Sequence, residues 1–291
     1  MKVTDAALLR SNVPETDHPA WAAATTYKKG DRVVVAATHR RYESLTDGNT
    51  GKAPAASPTA WVDVGATNRW AAFDAAVGTT TSMPALIDIT IQGEGRVNAV
   101  AVMDMEATKV RVRVTDKVDG LVYDRTVDLV SASGISDWYA YYFEPILRRR
   151  DLVLFDLPPY NDAQVQIEIM NSEGDASVGV VALGQQHELG DTKFGLSLGI
   201  TDYSVKERDS FGEWRVVQRP YSKKLRAPIR IRAGDVDRVF RLLAQYRAVP
   251  LVWVATALYD ASIVYGYYKD VDIVISGPKW SDCSLEIEGL I

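Results

Sequence analysis

The chain has 291 residues, 47% hydrophobic and 24% charged, with 20 Gly and 12 Pro. That balance excludes a disordered, collagenous or coiled-coil protein. Lys and Arg number 33 against 38 Asp and Glu, a net charge of −5, and this acidic balance argues against a dedicated nucleic-acid binder, which carries a basic footprint. One cysteine excludes an intramolecular disulfide framework, and together with three histidines it leaves too little for a zinc site of the usual type, so no metal or other cofactor is expected. No apolar run reaches the roughly 18 residues of a transmembrane helix, and the N-terminal apolar patch, broken by Arg10, lacks a signal-peptide pattern. Neither membrane insertion nor secretion by a leader is expected. At roughly 100–150 residues per domain the length suits two or three domains.

The first segment, residues 1–65, alternates short strand signals with long loops. After a polar lead come His18-Pro19-Ala20-Trp21 and Tyr27-Lys28-Lys29-Gly30-Asp31. Val33 to Val35 predict one strand and Thr38 to Leu45 a second. Asp47-Gly48-Asn49-Thr50-Gly51 is a turn cluster, and the segment closes on Trp61-Val62-Asp63-Val64-Gly65. Trp21, Tyr27, Tyr42 and Trp61 are many aromatics for so short a stretch. The boundary near Gly65 leaves residues 66–291 expected to fold without the segment.

Residues 66–190 predict strand after strand: Leu86 to Ile91, Val97 to Met103, Lys109 to Val114, Leu121 to Val130, Trp138 to Phe143, Leu152 to Leu157, Val165 to Ile169 and Val178 to Leu183. Lys109 to Val114 alternates valine with basic residues, the period of a half-buried strand. With turn residues between the strands and no helical pattern of useful length, the expectation is a β-sandwich or jelly roll.

Residues 191–291 predict a β-rich domain with one helix. Arg215 to Val217, Ile229 to Arg232, Leu251 to Ala255, Ile263 to Gly266 and Val271 to Ile275 read as strands, with a basic turn over Arg219 to Lys224. Val236, Val239, Phe240 and Leu243 share one helical face, with Asp235 as N-cap and Pro250 beyond the end. Cys283, Leu285 and Ile287 alternate with Asp282, Ser284 and Glu286, which makes Cys283 a core residue of a terminal strand.

Catalytic patterns mostly fail. Gly195-Leu196-Ser197-Leu198-Gly199 matches a nucleophile-elbow pattern, but that chemistry needs a strand, a sharp turn and a helix, and no helical period follows. The alternative is a glycine-rich strand or loop. His18, His39 and His187 lack ligand spacing. No phosphate-binding loop is present. Arg148-Arg149-Arg150 is either a solvated rim or an interface anchor.

The first segment resembles the small chitin-binding modules of bacterial chitinases. The shared pattern is Trp21, Tyr27-x-x-Gly30-Asp31-x-Val33, Tyr42-x-Ser44-Leu45, Asn49-x-Gly51, Pro54 and Trp61-x-x-Val64-Gly65. The resemblance implies sugar binding by Trp21, Tyr27, Tyr42 and Trp61; the rival reading of the same rings is the core of a domain too small to have another. Across most of its length the chain resembles proteins encoded among bacteriophage tail genes. The marks are Val64 to Asp74, Asp137 to Pro145, Gly199 to Ser204, Asp209 to Gly212 and Leu285 to Leu290. Residues 66–190 also resemble galactose-binding-like jelly rolls through Trp70 and Phe73-Asp74.

These resemblances imply a structural, non-enzymatic component of a phage tail tip or baseplate. It would assemble in the host cytoplasm with other virion tail proteins and as a homo-oligomer. The alternative is a carbohydrate-binding host-recognition protein of the virion that meets cell-surface polysaccharide; a cell-wall hydrolase ranks third. Arginine and tyrosine are favoured at buried interfaces, so Arg238, Arg241, Tyr221 and Tyr246 are the candidate subunit-interface residues, facing an acidic neighbour.

Overall fold

A computed structural model describes residues 3–74, 76, 78–131, 138–143, 147–208, 212–256 and 258–290. The protein is mainly β, as expected, and divides into two compact units, Met1–Asp74 with Thr79–Gln185, and Ala75–Gly78 with Gln186–Ile291.

The first unit holds β1 (Leu8–Ser11), β2 (Arg32–Val35), β3 (Arg40–Ser44), β4 (Trp61–Ala66), β5 (Thr81–Gln92), β6 (Ala99–Glu106), β7 (Lys109–Asp116), β8 (Gly120–Asp128), β9 (Val130–Ser131), the short helix α1 (Trp138–Phe143), β10 (Leu147–Arg148), β11 (Leu152–Leu154) and β12 (Gln164–Gly184). Strands β2, β3 and β4 form a three-stranded antiparallel sheet. Seven others form one antiparallel sheet around β12. The first half of β12 lies between β5 and β7, the second half between β5 and β6. The sheet therefore forks, and both branches face one core.

That core follows from alternation. Val110, Val112 and Val114 on β7 and Val165, Ile167 and Ile169 on β12 are buried, while Arg111 and Arg113 point outward to Asp124 and Glu168 at 2.5 and 2.6 Å. The fork is a bend shared by two strands. On β12 the register breaks between Met170 and Asp175, where the buried Asn171 donates to the Asp175 carbonyl at 2.7 Å. Opposite it, Ala85 takes a left-handed φ of 61°. Such a paired irregularity bends both strands without losing the ladder on either side. The forked antiparallel arrangement is compatible with a jelly roll.

Several expectations are corrected here. The two strands expected at Val165 to Ile169 and Val178 to Leu183 are halves of the single strand β12, because the intervening polar residues form the bulge and not a chain reversal. The stretch Trp138 to Phe143, expected as a strand, is helical. Aromatic runs favour strands only where neighbours cover them, and here Trp138, Tyr139 and Tyr142 are exposed. The remainder of the expected Asp137 to Pro145 mark lies outside the described residues. The polar lead is not confined to the aromatic module: β1 pairs with β5, and Val3, Ala7 and Val13 join the core of the seven-stranded sheet. A fragment starting at Ala66 would lose that strand and those three core side chains.

The second unit holds β13 (Asp191–Thr192), β14 (Ser197–Asp202), β15 (Val205–Arg208), β16 (Trp214–Val217), β17 (Tyr221–Arg232), α2 (Val236–Gln245), β18 (Leu251–Val254), β19 (Ile263–Val274) and β20 (Trp280–Gly289). Its main sheet runs β14-β17-β20-β19-β18, all antiparallel, with β13 also on β17. Val239 and Leu243 of α2 pack with Leu225, Ile229, Ile231, Cys283, Leu285 and Ile287 in one buried cluster, and the Tyr268 hydroxyl donates to the Leu243 carbonyl at 2.8 Å.

Four details differ from expectation. Phe240 is 61% exposed. At 3.6 residues per turn it lies about 80° from the line between Val239 and Leu243, at the margin of the apolar stripe. Asp235 stands at the N-cap with helical dihedrals at the end of a 3-10 turn, so its carboxylate does not cap the helix and instead takes Arg238 at 3.1 Å. The expected strands Ile263 to Gly266 and Val271 to Ile275 are one strand, β19. The expected basic turn is mostly strand, since β17 begins at Tyr221.

Candidate functional site

The aromatic module is built inward. Tyr27, Tyr42 and Trp61 are buried together with Val33 and Ala60, and Trp21 packs partly buried against them. Trp61 is 2% exposed, meets Tyr27 edge-on at 5.1 Å and donates its ring N–H to the Lys52 carbonyl at 2.9 Å. The Tyr27 hydroxyl accepts the Ala22 amide at 2.8 Å. Asn49, also buried, donates to Ser44 Oγ at 3.0 Å. A sugar ring stacks on an open aromatic face, and three of the four candidate rings have none. This corrects the reading of Tyr27, Tyr42 and Trp61 as sugar contacts; only Trp21 retains partly exposed surface.

Spacing gave no hint of the role of His39. It adopts a left-handed φ of 54° after a short 3-10 turn. Its ring stacks on Trp70 at 4.3 Å, and Nδ1 lies 2.9 Å from Glu15, which also accepts the Thr67 hydroxyl at 2.8 Å. The Arg69 guanidinium donates to the Val13 carbonyl at 2.7 Å, and Asp17 accepts the Asn68 amide at 2.7 Å. The segment after β4 is thus bound to the N-terminal lead through side chains distant in sequence.

In the second unit, strands β14 to β17 form a long hairpin. Its lower ladder ends at Asp202 opposite Tyr221, and its upper ladder runs from Val205 opposite Val217 to Arg208 opposite Trp214. The bend between the ladders is closed by Ser204, whose hydroxyl accepts the Arg219 amide at 3.0 Å. Asp202 accepts from the Ser204 amide and from Lys206, which hold its carboxyl well below the usual carboxylate range. Yet Ile200 is 67% exposed, Trp214 64% and Val216 61%, with Leu198, Val217 and Tyr221 also exposed. Composition offered no sign of this. Its signal was the alternation Leu198, Ile200 on a strand whose partner is basic.

The candidate interface residues are placed separately. Arg238 and Arg241 are exposed on α2, where Arg238 also donates to the Glu188 carbonyl at 3.2 Å and Arg241 to the Asp237 carbonyl at 3.2 Å. Tyr246 follows the helix with its ring 6.4 Å from His187. Tyr221 belongs to the hairpin.

The remaining sequence signals settle into the framework. Ser197 opens the exposed strand β14, and the chain continues as strand, without the strand–turn–helix of a nucleophile elbow. Arg148 pairs with Glu173, and Arg150 with Asp104 at 3.3 Å. Burial pushes the Cys283 thiol up to about 11. Among the described residues, no group of His, Cys, Asp or Glu side chains is arranged to hold a metal ion, and no helix is long and apolar enough to cross a membrane. No protein family, no characterised protein and no solved structure matches this chain.

Proposed function

We propose that the chain is a structural, non-catalytic component of a bacteriophage tail tip or baseplate that assembles with copies of itself and with other tail proteins. The observation that carries this reading is the hairpin β14–β17, which leaves the large apolar side chains Ile200, Trp214 and Val216 exposed among charged neighbours. Exposed large apolar side chains rimmed by polar residues are a candidate interaction surface. The phage assignment itself rests on the sequence resemblance. Cryo-electron microscopy and mass spectrometry of purified particles test it: the chain should be present in stoichiometric amounts at one end of the tail, and its absence from particles would refute the reading.

The exposed arginines of α2 belong to the same proposal. Arg238→Glu combined with Arg241→Glu should leave the melting temperature within about 3 °C, because exposed ion pairs contribute little, and should reduce incorporation into particles. Normal incorporation of the double variant would place the interface elsewhere.

A second reading, host recognition through polysaccharide, is favoured by one observation. Trp138, Tyr139 and Tyr142 on α1 are 77%, 72% and 72% exposed, with Trp138 and Tyr142 one helical turn apart on one face. If they stack on sugar, Trp138→Ala should weaken retention on cell-wall polysaccharide about 5–150-fold, by analogy with base stacking at about 1–3 kcal/mol per aromatic. Unchanged retention would remove this reading.

A further inference from the structure

We propose that residues 3–17 are a strap that locks the aromatic module β2–β4 in one orientation on the seven-stranded sheet. The inference goes beyond the assembly reading and does not rest on it.

The module is an insertion between two neighbouring strands. β1 and β5 pair antiparallel, and the chain leaves the sheet after β1, builds the module and returns to form β5. It therefore crosses between module and sheet twice, outward along residues 12–19 and back along residues 67–72. Parts joined by exposed linkers with few contacts across them move relative to one another by default. Here the two crossings are tied to each other and to both bodies.

The strap is fixed at both ends. On the sheet side, the Gln92 amide donates to the Ala7 carbonyl at 2.7 Å, and Asn12 carries the ladder past the end of β1. Its amide donates to the Asp88 carbonyl at 3.1 Å, while its side chain accepts the Asp88 amide and donates to the Leu86 carbonyl, both at 2.8 Å. Val3, Ala7 and Val13 are buried in one core with Ile87, Ile89 and Ile91. On the module side, the Val34 amide donates to the Pro19 carbonyl and the Trp21 amide to the Val34 carbonyl, each at 3.0 Å. The end of the strap thus runs along β2.

Between these ends, three consecutive residues of the returning crossing each grip the strap. The Thr67 hydroxyl donates to Glu15 at 2.8 Å, the Asn68 amide to Asp17 at 2.7 Å and the Arg69 guanidinium to the Val13 carbonyl at 2.7 Å. Glu15 also takes the ring Nδ1 of His39 at 2.9 Å, in the turn between β2 and β3. One carboxylate therefore joins the outward crossing, the returning crossing and the module. The His39 ring stacks on Trp70 at 4.3 Å, and its carbonyl accepts the Thr67 amide at 2.9 Å. The Asn68 side chain donates to the Ser82 carbonyl and accepts the Ser82 amide, both at 2.8 Å, which fixes the returning crossing on β5. The Glu15 and Asp17 side chains are each only 12% exposed, and hydrogen bonds to a carboxylate shielded from water are stronger than neutral, solvated ones. The module's own core is a separate set, Tyr27, Val33, Tyr42, Ala60 and Trp61. Loosening the strap therefore frees the module without unfolding it. Held by the strap, the module moves with the sheet as one body, unlike a binding module on a free tether.

Spin-label distances measured in the full chain test the proposal. Lys52→Cys places one label on the module and Val118→Cys a second on the turn between β7 and β8, both at exposed positions. Cys283 is buried, with its thiol pushed up to about 11, so labelling spares it. The doubly labelled chain should give a single narrow distance. Adding Glu15→Ala with Asp17→Ala should abolish that single distance and spread it over many, while amide exchange still shows β3 and β12 protected. A broad distribution without those two substitutions overturns the proposal. So does a narrow distribution that survives them. Loss of protection in β3 or β12 also overturns it, since the two carboxylates would then hold a fold rather than an orientation.

Discussion

Trp61→Ala should unfold the three-stranded module and leave the second unit intact. Trp61 is 2% exposed at the centre of a core made with Tyr27, Val33, Tyr42 and Ala60. Truncating a buried tryptophan costs about 3–5 kcal/mol through lost burial and the cavity left behind. Here it also leaves the Lys52 carbonyl without its donor. A core of so few side chains has little reserve, because small folding units bury a smaller share of their surface. Hydrogen exchange should show protection lost across β2, β3 and β4 while β17 and β20 keep theirs. Trp21→Ala, at the partly open margin of the same cluster, should cost clearly less. If the Trp61 variant kept the module folded and lost retention on polysaccharide, Trp61 would belong to a binding surface after all.

The contrast explains why the same residues read two ways in the sequence. The aromatic pattern located the module and its strands, since Tyr42 and Trp61 sit on β3 and β4. It could not say which way the rings point. Orientation depends on the loop from Asp47 to Ala60, whose buried Asn49 and 3-10 turn at Pro54 wrap the aromatics. Period-2 alternation did better. It located β7, β20 and the first half of β12, where one buried face repeats without interruption. It failed where covering decides structure. The stretch Trp138 to Phe143 has a strand's composition but is helical with Trp138, Tyr139 and Tyr142 exposed, and Phe240 has a core residue's chemistry at the margin of its stripe. The N-terminal lead was illegible for a different reason. β1 is a four-residue strand with half-exposed side chains, and only its pairing with β5, some eighty residues away, gives it a place.

The candidate interface shows the same division. The arginines of α2 were visible because the helix was. Of the hairpin, Arg215 to Val217 and Ile229 to Arg232 were read as strands, but the pairing of β16 and β17 with β15 and β14 was not, because the strands are short and the two ladders are offset by one residue at the Ser204 bend. Its exposed side chains look in sequence like ordinary strand residues. Only their exposure in the folded structure marks them.

Gly266→Ala should destabilise the second unit by about 1–3 kcal/mol, the range for forcing atoms into a packed region without room to relax. Gly266 of β19 faces Gly289 of β20 in register. A Cβ at residue 266 would lie 2.1 Å from the Glu288 carbonyl oxygen and 2.7 Å from the Gly289 Cα, both backbone atoms that cannot turn aside. The Gly266 carbonyl also accepts the buried Trp253 ring N–H at 3.0 Å, so any shift of β19 to relieve the clash stretches that bond and disturbs the cluster beneath α2. Gly199→Ala supplies the control. That glycine lies in the exposed strand β14, and a Cβ there meets nothing closer than Lys224 Cβ at 3.8 Å, an ordinary contact. Its substitution should be neutral or stabilising by about 0.5 kcal/mol, since alanine loses less backbone entropy on folding. Thermal unfolding of the two variants should therefore move in different directions, and the loss in Gly266→Ala should fall on the transition that exposes Cys283 to thiol reagents. Equal stability of the two variants would show that β19 and β20 do not approach as closely as their facing glycines require.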